Sequence, residues 1–167
     1  MRTSPEPEPP RPITFEEFFD RERNRLFGAM CLITGNRHEA EEVTQDAFVS
    51  MWERWERVRG LEDPTGYLYR TAMNAFRSRY RRAVLAMRRT LRVTQADDGI
   101  EAIESSDVVL RAMARLPIRQ REAVVLMDVL GYSSEEAARM VGVRPSTIRT
   151  HAARAHAALK GTLGGGP

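Results

Sequence analysis

The sequence predicts an all-α protein with two small helical domains joined by an acidic linker. Apolar residues recur every three or four positions through most of its 167 residues, which is the period of an amphipathic helix. No stretch alternates valine, isoleucine or threonine with polar residues, as a half-buried strand would. From Val93 to Asp107 the helical pattern stops, and this segment holds five acidic residues and no basic one. The acidic segment therefore divides the chain into two helical parts.

The first predicted domain spans residues 14–90 and opens with two capped helices. Thr14 and Glu17 form a capping box, in which the two residues satisfy free backbone N–H groups at the helix start. The apolar stretch behind them ends at Gly35, because glycine readily adopts the left-handed conformation that terminates helices. Asn36 and Glu39 are expected to repeat the capping box at the start of the second helix.

The second helix is expected to continue through Val58, since apolar residues keep the helical spacing to that point. A third helix begins at Asp63 and Pro64, because an acidic N-cap and a proline at the first helical position are both favourable there. It is expected to reach Tyr80 and to extend toward Arg88.

The second predicted domain spans residues 106–161 and contains four short helices separated by Pro117, Gly131 and Gly142. The expected bounds of these helices are Ser106–Leu116, Ile118–Leu130, Ser133–Val141 and Pro145–Leu159. The other segments are a disordered leader rich in proline and glutamate, the flexible acidic linker and a disordered tail, over residues 1–13, 91–105 and 162–167.

The composition excludes several classes of protein. The single cysteine, Cys31, rules out an internal disulfide framework and a multi-cysteine zinc site. His151 and His156 project about 140° apart on a helix, too far to share a metal ion. The sequence has no apolar stretch of the roughly 20 residues that span a membrane, no signal peptide, no glycine-rich phosphate loop and no hydrolase nucleophile motif. We therefore expect a cytoplasmic protein without membrane insertion, enzymatic activity, cofactor or metal.

Charge is distributed unevenly, although the net formal charge is only +3. Residues 36–57 hold six acidic residues and three arginines, whereas residues 63–92 hold eight arginines and one acidic residue. The last predicted helix, with the turn before it, holds four basic residues over 144–160 and no acidic one. An acidic helix in a basic protein favours a protein partner. Basic runs are often solvated faces, but arginine also bonds phosphate bidentately.

Five residues of the third helix share one face. At about 100° per residue they fall within about 40° of one line along the helix. We call this set the arginine track, and its members are Arg70, Asn74, Arg77, Arg81 and Arg88. The guanidinium groups suit a nucleic-acid backbone, and the asparagine can bond a base edge. The neighbouring aromatic residues Tyr67, Tyr69 and Phe76 can either stack on unpaired bases or belong to the core.

The last two predicted helices have the pattern of a helix-turn-helix. Ser133 caps the first helix, and Gly142 provides the turn. Ala137, Val143 and Ile148 have the spacing that would pack the two helices together. The side chains expected to face the major groove of DNA are Ser146, Thr147, Arg149, Thr150, Ala153 and Arg154.

Three stretches of the sequence resemble successive regions of the bacterial extracytoplasmic-function sigma factors of the sigma-70 family. They are EAEEVTQDAFVSMWERW, DPTGYLYRTAMNAFRSRYRR and YSSEEAARMVGVRPSTIRTHAARAHAALK, and they occur in the family's order. The resemblance implies a transcription initiation factor that binds core RNA polymerase and directs it to specific promoters. It also implies that residues 14–90 form a region 2-like domain and residues 106–161 a region 4-like domain.

The resemblance further implies partners and roles for individual residues. The largest-subunit clamp coiled coil of polymerase would contact Glu41, Glu42, Gln45 and Asp46. The minus-ten promoter region would be recognised and melted by Tyr67, Arg70, Asn74, Arg77 and Arg81, with Asn74 beside a flipped base and the arginines on flanking phosphates. The minus-thirty-five region would contact Arg144, Ser146, Thr147, Arg149, Thr150 and Arg154, with Arg144 near the backbone. The polymerase flap and an anti-sigma factor are further partners that the family implies.

Two other functions are compatible with the C-terminal pattern alone. A dimeric helix-turn-helix regulator would bind an operator and use its N-terminal helices for dimerisation or sensing. An adaptor would bind polymerase without reading DNA, so that Arg149 and Arg154 would be dispensable. The arginine track favours a sigma factor over the regulator, because a dimerisation domain needs no second surface for DNA.

Overall fold

The structure is a computed structural model that describes residues 11–90 and 108–163. Its helices are α1 (Phe15–Thr34), α2 (Arg37–Trp52), α3 (Trp55–Val58), α4 (Pro64–Thr90), α5 (Val108–Ala114), α6 (Ile118–Val124), a π-helical turn (Val125–Val129), α7 (Ser134–Val141) and α8 (Pro145–Leu163). These two ranges contain no strand, so the all-α prediction is confirmed. The predicted linker, most of the predicted leader and residues 164–167 of the predicted tail lie outside the described residues.

The predicted helix ends are confirmed where their signals are local in sequence. Thr14 and Glu17 make both hydrogen bonds of the capping box at the start of α1. Gly35 ends that helix with a φ of 70°. The side chain of Asn36 accepts a hydrogen bond from the backbone N–H of Glu39 at 3.0 Å. The Asn36 backbone N–H donates to the Thr34 hydroxyl at 3.1 Å and not to Glu39, so the capping box predicted there is wrong in its second bond. These bonds satisfy backbone groups that have no partner within their own helix.

The prediction of one helix from residue 37 to Val58 is wrong. α2 ends at Trp52, and α3 begins three residues later. The Arg54 guanidinium donates to the backbone carbonyl of Ser50 at 3.1 Å and to its hydroxyl at 2.7 Å. Trp55 of α3 is buried, and its ring lies 5.1 Å from the Phe18 ring.

Three other predicted helices differ from the observed ones. α5 ends at Ala114, two residues before the predicted end at Leu116. The stretch ending at Leu130 is α-helical only to Val124 and then forms the π-helical turn. At the end of this turn, the Leu130 N–H donates to the Val125 carbonyl and the Tyr132 N–H donates to the Leu126 carbonyl. These bonds span more residues than those of an α-helix. α8 continues through Leu163, so the predicted disordered tail does not begin at residue 162.

The two predicted domains pack against each other. α1 and α4 pack on α2, and α6 and α7 pack on α8, while the buried apolar residues of both groups form one continuous core. α1 also contacts α5, α6 and the π-helical turn, while α4 contacts α7. The guanidinium of Arg25 on α1 donates to the backbone carbonyl of Leu130 at 3.3 Å. We call this contact region the domain interface.

Two glycine-to-alanine substitutions should change stability in opposite directions. Gly142, in the helix-turn-helix turn, has a φ of +70°, so Gly142→Ala should destabilise the fold by about 1 kcal/mol. Gly28 is exposed within α1, and a Cβ there would meet nothing within 4 Å. Gly28→Ala should therefore stabilise the protein by about 0.5–1 kcal/mol. Urea unfolding midpoints measure both changes, and a shift of the same sign would contradict the assigned backbone conformations.

Candidate nucleic-acid and protein interfaces

The arginine track lies on α4, and most of it is exposed. Arg70, Asn74, Arg81 and Arg88 are open to solvent. The Arg70 guanidinium carbon lies 5.3 Å from the centre of the Tyr67 ring, and that ring is half-buried. This cation–π contact holds a positive charge and an aromatic face side by side at the start of α4.

Two of the three aromatic residues near the track belong to the core. Tyr69 is 1% exposed and Phe76 is 2% exposed, so neither ring can stack on a base in this structure. Burial raises the pKa of the Tyr69 hydroxyl. Tyr67 is the one of the three whose ring reaches the surface.

Arg77 differs from the rest of the track because it lies in the domain interface. Its Nε and Nη2 atoms donate to the two carboxylate oxygens of Glu122 at 3.1 and 3.2 Å. Its Nη1 atom donates to the backbone carbonyl of Val141. The Glu122 side chain is 1% exposed and the Arg77 side chain 15%. A DNA phosphate therefore cannot reach these donors in the observed arrangement.

The helix-turn-helix has the predicted form. Ser133 and Glu136 make a capping box at α7, which lowers the pKa of the Glu136 carboxyl through its bond with the Ser133 backbone N–H. Gly142 ends α7 in the left-handed conformation. Ala137 and Ile148 are buried between the helices, and Val143 packs against the same core.

α8 presents most of its predicted DNA-facing residues to solvent. The exposed ones are Arg144, Ser146, Arg149, Thr150, Ala153 and Arg154, while Thr147 is half-buried. The Arg149 guanidinium donates to the Ser134 hydroxyl at 2.9 Å and lies 3.5 Å from a Glu135 carboxylate oxygen. The Glu135 carboxylate accepts hydrogen bonds from its own backbone N–H and from the Ser134 hydroxyl, and both bonds lower the pKa of this carboxyl. Arg149 is thus oriented by the first helix of the motif.

The acidic residues of α2 occupy one face of that helix. Glu41 and Gln45 are exposed and free of salt bridges to other described residues. Glu42 and Asp46 instead bind Arg79 of α4, with 3.0 Å between the Arg79 Nη1 and an Asp46 carboxylate oxygen. Part of this acidic face therefore also holds α2 against α4.

An exposed apolar patch beside the acidic face escaped sequence analysis. Val49 is 57% exposed and Trp52 is 64% exposed, and their neighbours on this surface are Phe15, Phe19 and Phe48. Gln45 lies at the edge of the patch. Val49 and Trp52 are apolar, but neither has the helical spacing of the buried α2 residues. That difference in spacing is the sequence signal from which their exposure could have been predicted. Large apolar side chains grouped at a surface are typical of a docking site.

Nothing in the described ranges resembles a metal centre or a membrane segment. No group of three histidine, cysteine or acidic residues there could hold a metal ion. No described helix is both long and apolar enough to cross a bilayer. Cys31 is half-buried against the core, and burial raises the pKa of its thiol, which makes it a poor nucleophile.

The chain matches two family models that together cover most of its length. Sigma-70 region 2 matches residues 18–99, and sigma-70 region 4 matches residues 106–159. The extracytoplasmic-function (ECF) RNA polymerase sigma factor SigM of Mycobacterium tuberculosis strain H37Rv is 34% identical over 151 residues, which are 90% of this chain and 77% of SigM. RNA polymerase sigma factor CarQ of Myxococcus xanthus is 33% identical over 90% of this chain and 89% of CarQ.

Solved structures share the fold. The sigma factor RpoE of Bartonella quintana, solved with the anti-sigma factor NepR, superposes with a TM-score of 0.75 at 21% identity, over 92% of this chain and 98% of RpoE. CnrH, solved with the cytosolic domain of CnrY, gives a TM-score of 0.61 at 24% identity, over 92% of this chain and 89% of CnrH. The family models and relatives show that the chain belongs to the sigma-70 family as an ECF sigma factor, a transcription initiation factor that binds core RNA polymerase and directs it to specific promoters.

Proposed function

We propose that the protein docks on polymerase through α2 and meets promoter DNA through α4 and α8. The observation that carries this proposal is the separation of surface chemistry between helices. α2 presents exposed acidic and apolar side chains, whereas α4 and α8 present exposed arginines. Arginine suits a polyanion, while an acidic surface with an apolar centre repels DNA and suits a protein.

The polymerase-binding surface combines the apolar patch with its acidic edge. Trp52 supplies the largest exposed ring, and tryptophan is enriched among residues that dominate binding energy. Glu41 and Gln45 flank the patch and supply charge and hydrogen bonding for orientation. Glu42 and Asp46 also belong to this surface, although Arg79 already binds both. We assign the clamp coiled coil as the partner here and the polymerase flap as the partner of the C-terminal domain.

The minus-ten surface is formed by the exposed part of α4. Asn74 lies one turn after Arg70, which in turn contacts Tyr67. This arrangement supports a role in holding an unstacked base, since the asparagine can bond its edge while the arginines hold flanking phosphates. Arg81 extends the positive charge along the same face of α4. Arg77 becomes part of this surface when its hydrogen bonds with Glu122 and Val141 are broken.

The minus-thirty-five surface is the exposed side of α8. Arg149 and Arg154 project from successive turns with Thr150 between them, the placement expected of a recognition helix. Ser146 and Thr147 lie in the first turn, and Arg144 precedes it near the expected DNA backbone.

We further propose that the protein acts in the bacterial cytoplasm, has no catalytic activity and needs no cofactor. RpoE was solved with the anti-sigma factor NepR and CnrH with the cytosolic domain of CnrY, and an anti-sigma factor is a candidate partner for this chain as well. A dimeric operator-binding regulator is not favoured, because α4 already carries a second basic surface.

The decisive experiment is reconstitution with core bacterial RNA polymerase and transcription from a promoter library. Stable association and new start sites that require the protein would support the proposed surfaces and define both promoter elements. Specific duplex binding by the free protein, without association with core polymerase, would instead support the regulator.

Replacing Arg149 should alter promoter choice without weakening polymerase binding. Arg149→Ala removes a candidate bidentate base contact, so discrimination at one minus-thirty-five position should fall by about fivefold or more, or about 1 kcal/mol. Lys160→Ala is the matched control, because it removes a positive charge from the exposed end of the same helix. Transcription from single-base promoter variants measures the effect. An unchanged base preference in the Arg149 variant would contradict the assignment.

A further inference from the structure

A small pocket away from the polymerase and DNA surfaces contains a buried arginine. The pocket has a volume of about 260 Å³ and lies where the end of α1 and the start of α2 meet α4 and α6. We call it the Arg121 pocket. The lining residues that matter below are Arg121, Glu39, Phe76, Tyr80, Ala83 and Ile118.

The charge of Arg121 has no bonded partner. Arg121 is 9% exposed, yet its guanidinium forms no hydrogen bond or salt bridge with any residue of the described ranges. Burial lowers the pKa of this group and outweighs the opposing effects of Tyr80, Glu122 and Glu39. The Glu122 carboxylate already accepts its hydrogen bonds from Arg77. An arginine this buried is almost always paired with an acceptor, so the guanidinium has capacity for one more group.

The end of α1 compensates for this charge only in part. Gly35 ends α1, and a Cβ at that position would lie 2.8 Å from the Arg121 Nη1, so the guanidinium lies against backbone there. The carbonyl end of a helix carries a partial negative charge, which favours a nearby cation. No described carbonyl accepts a hydrogen bond from Arg121, however, so its donors are not used by α1.

The walls of the Arg121 pocket suit a ligand with one acidic end and an apolar body. A guanidinium group donates two parallel hydrogen bonds to a planar carboxylate. α2 begins at the pocket with its N-cap Asn36, so the positive end of this 16-residue helix also favours an anion. Phe76, Tyr80 and Ile118 present rings and aliphatic groups on the other side.

Glu39 limits how much negative charge the ligand can carry. Its carboxyl lines the same pocket without a salt bridge to Arg121, and burial raises the pKa of this carboxyl. An ionised Glu39 repels a ligand with two negative charges more strongly than a ligand with one. The pocket therefore fits a monocarboxylate better than a phosphate dianion.

We propose that the Arg121 pocket binds a small carboxylic acid with an apolar body, whose carboxylate pairs with Arg121 and whose body lies against Phe76 and Ile118. The carboxylate gives the buried guanidinium the partner that it lacks within the described protein. None of the lining residues belongs to the surfaces proposed for polymerase or promoter DNA. The inference therefore stands or fails independently of the proposed function.

Titration of the full-length protein with sodium benzoate tests the proposal, with amide chemical shifts as the readout. We expect saturable shifts at the lining residues, with half-saturation at about 1 mM, which is reasonable for so small a ligand. Sodium phosphate at the same ionic strength is the second probe and should give no saturable shift at these residues. Equal binding of phosphate would overturn the assignment to a carboxylic acid.

Arg121→Met removes the guanidinium and keeps an unbranched apolar side chain. Benzoate affinity should fall at least about tenfold, while the urea unfolding midpoint should rise, because an unpaired buried charge is replaced by an apolar group. Arg115→Met is the matched control, since it removes an exposed arginine of the same domain and should change neither quantity. A lower midpoint for Arg121→Met would show that the arginine already has a stabilising partner and would overturn the proposal.

Ala83→Phe blocks the pocket without touching the arginine. Ala83 is exposed on α4 at the edge of the pocket, so a phenyl ring there should compete with the body of the ligand and abolish benzoate binding. Ala157→Phe makes the same change at an exposed position of α8 that does not line the pocket, and it should bind benzoate normally. Absence of saturable shifts in the wild type, or benzoate binding that survives Ala83→Phe, would overturn the proposed site.

Discussion

Trp52→Ala should weaken the affinity of the protein for core RNA polymerase by at least about 30-fold, or about 2 kcal/mol. The ring is 64% exposed at the centre of the apolar patch, so its removal takes away contact area without opening a cavity in the core. Stability should change by no more than about 0.5 kcal/mol, as is usual for an exposed side chain. Fluorescence titration with labelled core polymerase measures the affinity, and urea unfolding measures the stability.

Val49→Asp and Val108→Asp provide a matched pair for the same prediction. The two valines are 57% and 54% exposed, but only Val49 lies in the apolar patch. Val108 begins α5, where an added acidic residue interacts favourably with the helix dipole. Loss of polymerase binding in the Val49 variant alone would support the docking surface. Equal loss of polymerase binding in both variants, or normal binding in both, would show that the apolar patch is not part of the polymerase interface.

Asn74→Ala should impair promoter opening while leaving polymerase binding unchanged. Capture of a flipped base offsets an unstacking cost of a few kcal/mol, so loss of the amide should slow open-complex formation roughly 30- to 150-fold. Asn74 is exposed in the middle of α4, and alanine is a good helix former, so the fold should tolerate the change. Permanganate footprinting of the promoter follows the opening.

Two controls separate base capture from a general defect. Asn24→Ala makes the same chemical change at an exposed position of α1 and should open promoters normally. A promoter without a base at the flipped position removes the group that Asn74 is proposed to hold, so wild type and Asn74→Ala should open it equally well. A defect of undiminished size on that promoter would show that Asn74 acts elsewhere.

Local signals allowed much of the fold to be predicted from the sequence. Helix starts at Thr14, Asn36 and Ser133 depend on hydrogen bonds between residues three positions apart, and all three are observed. Gly35 and Gly142 end helices because each adopts a positive φ, a property of the residue type. The order of the three motifs along the sequence is also a local property, and it indicates the family without tertiary structure.

Breaks within long apolar stretches could not be predicted in the same way. The sequence keeps helical spacing through Val58, yet α2 ends at Trp52. Trp55 has the same apolar spacing whether or not the helix is interrupted, so periodicity does not reveal the break. The apolar patch was missed for a related reason. A repeating pattern marks the buried face of a helix, but it does not say which other apolar residues remain uncovered.

The sequence by itself determined the helices, the segregation of charge and the side of α4 on which its arginines lie. Only the tertiary structure decided that Arg77 binds Glu122, which is 45 positions away, while Arg70 and Arg81 remain exposed. A helical period gives the direction of a side chain around its own axis, because that direction depends on the local backbone. What the side chain meets in that direction depends on how distant helices pack, and no local pattern specifies it.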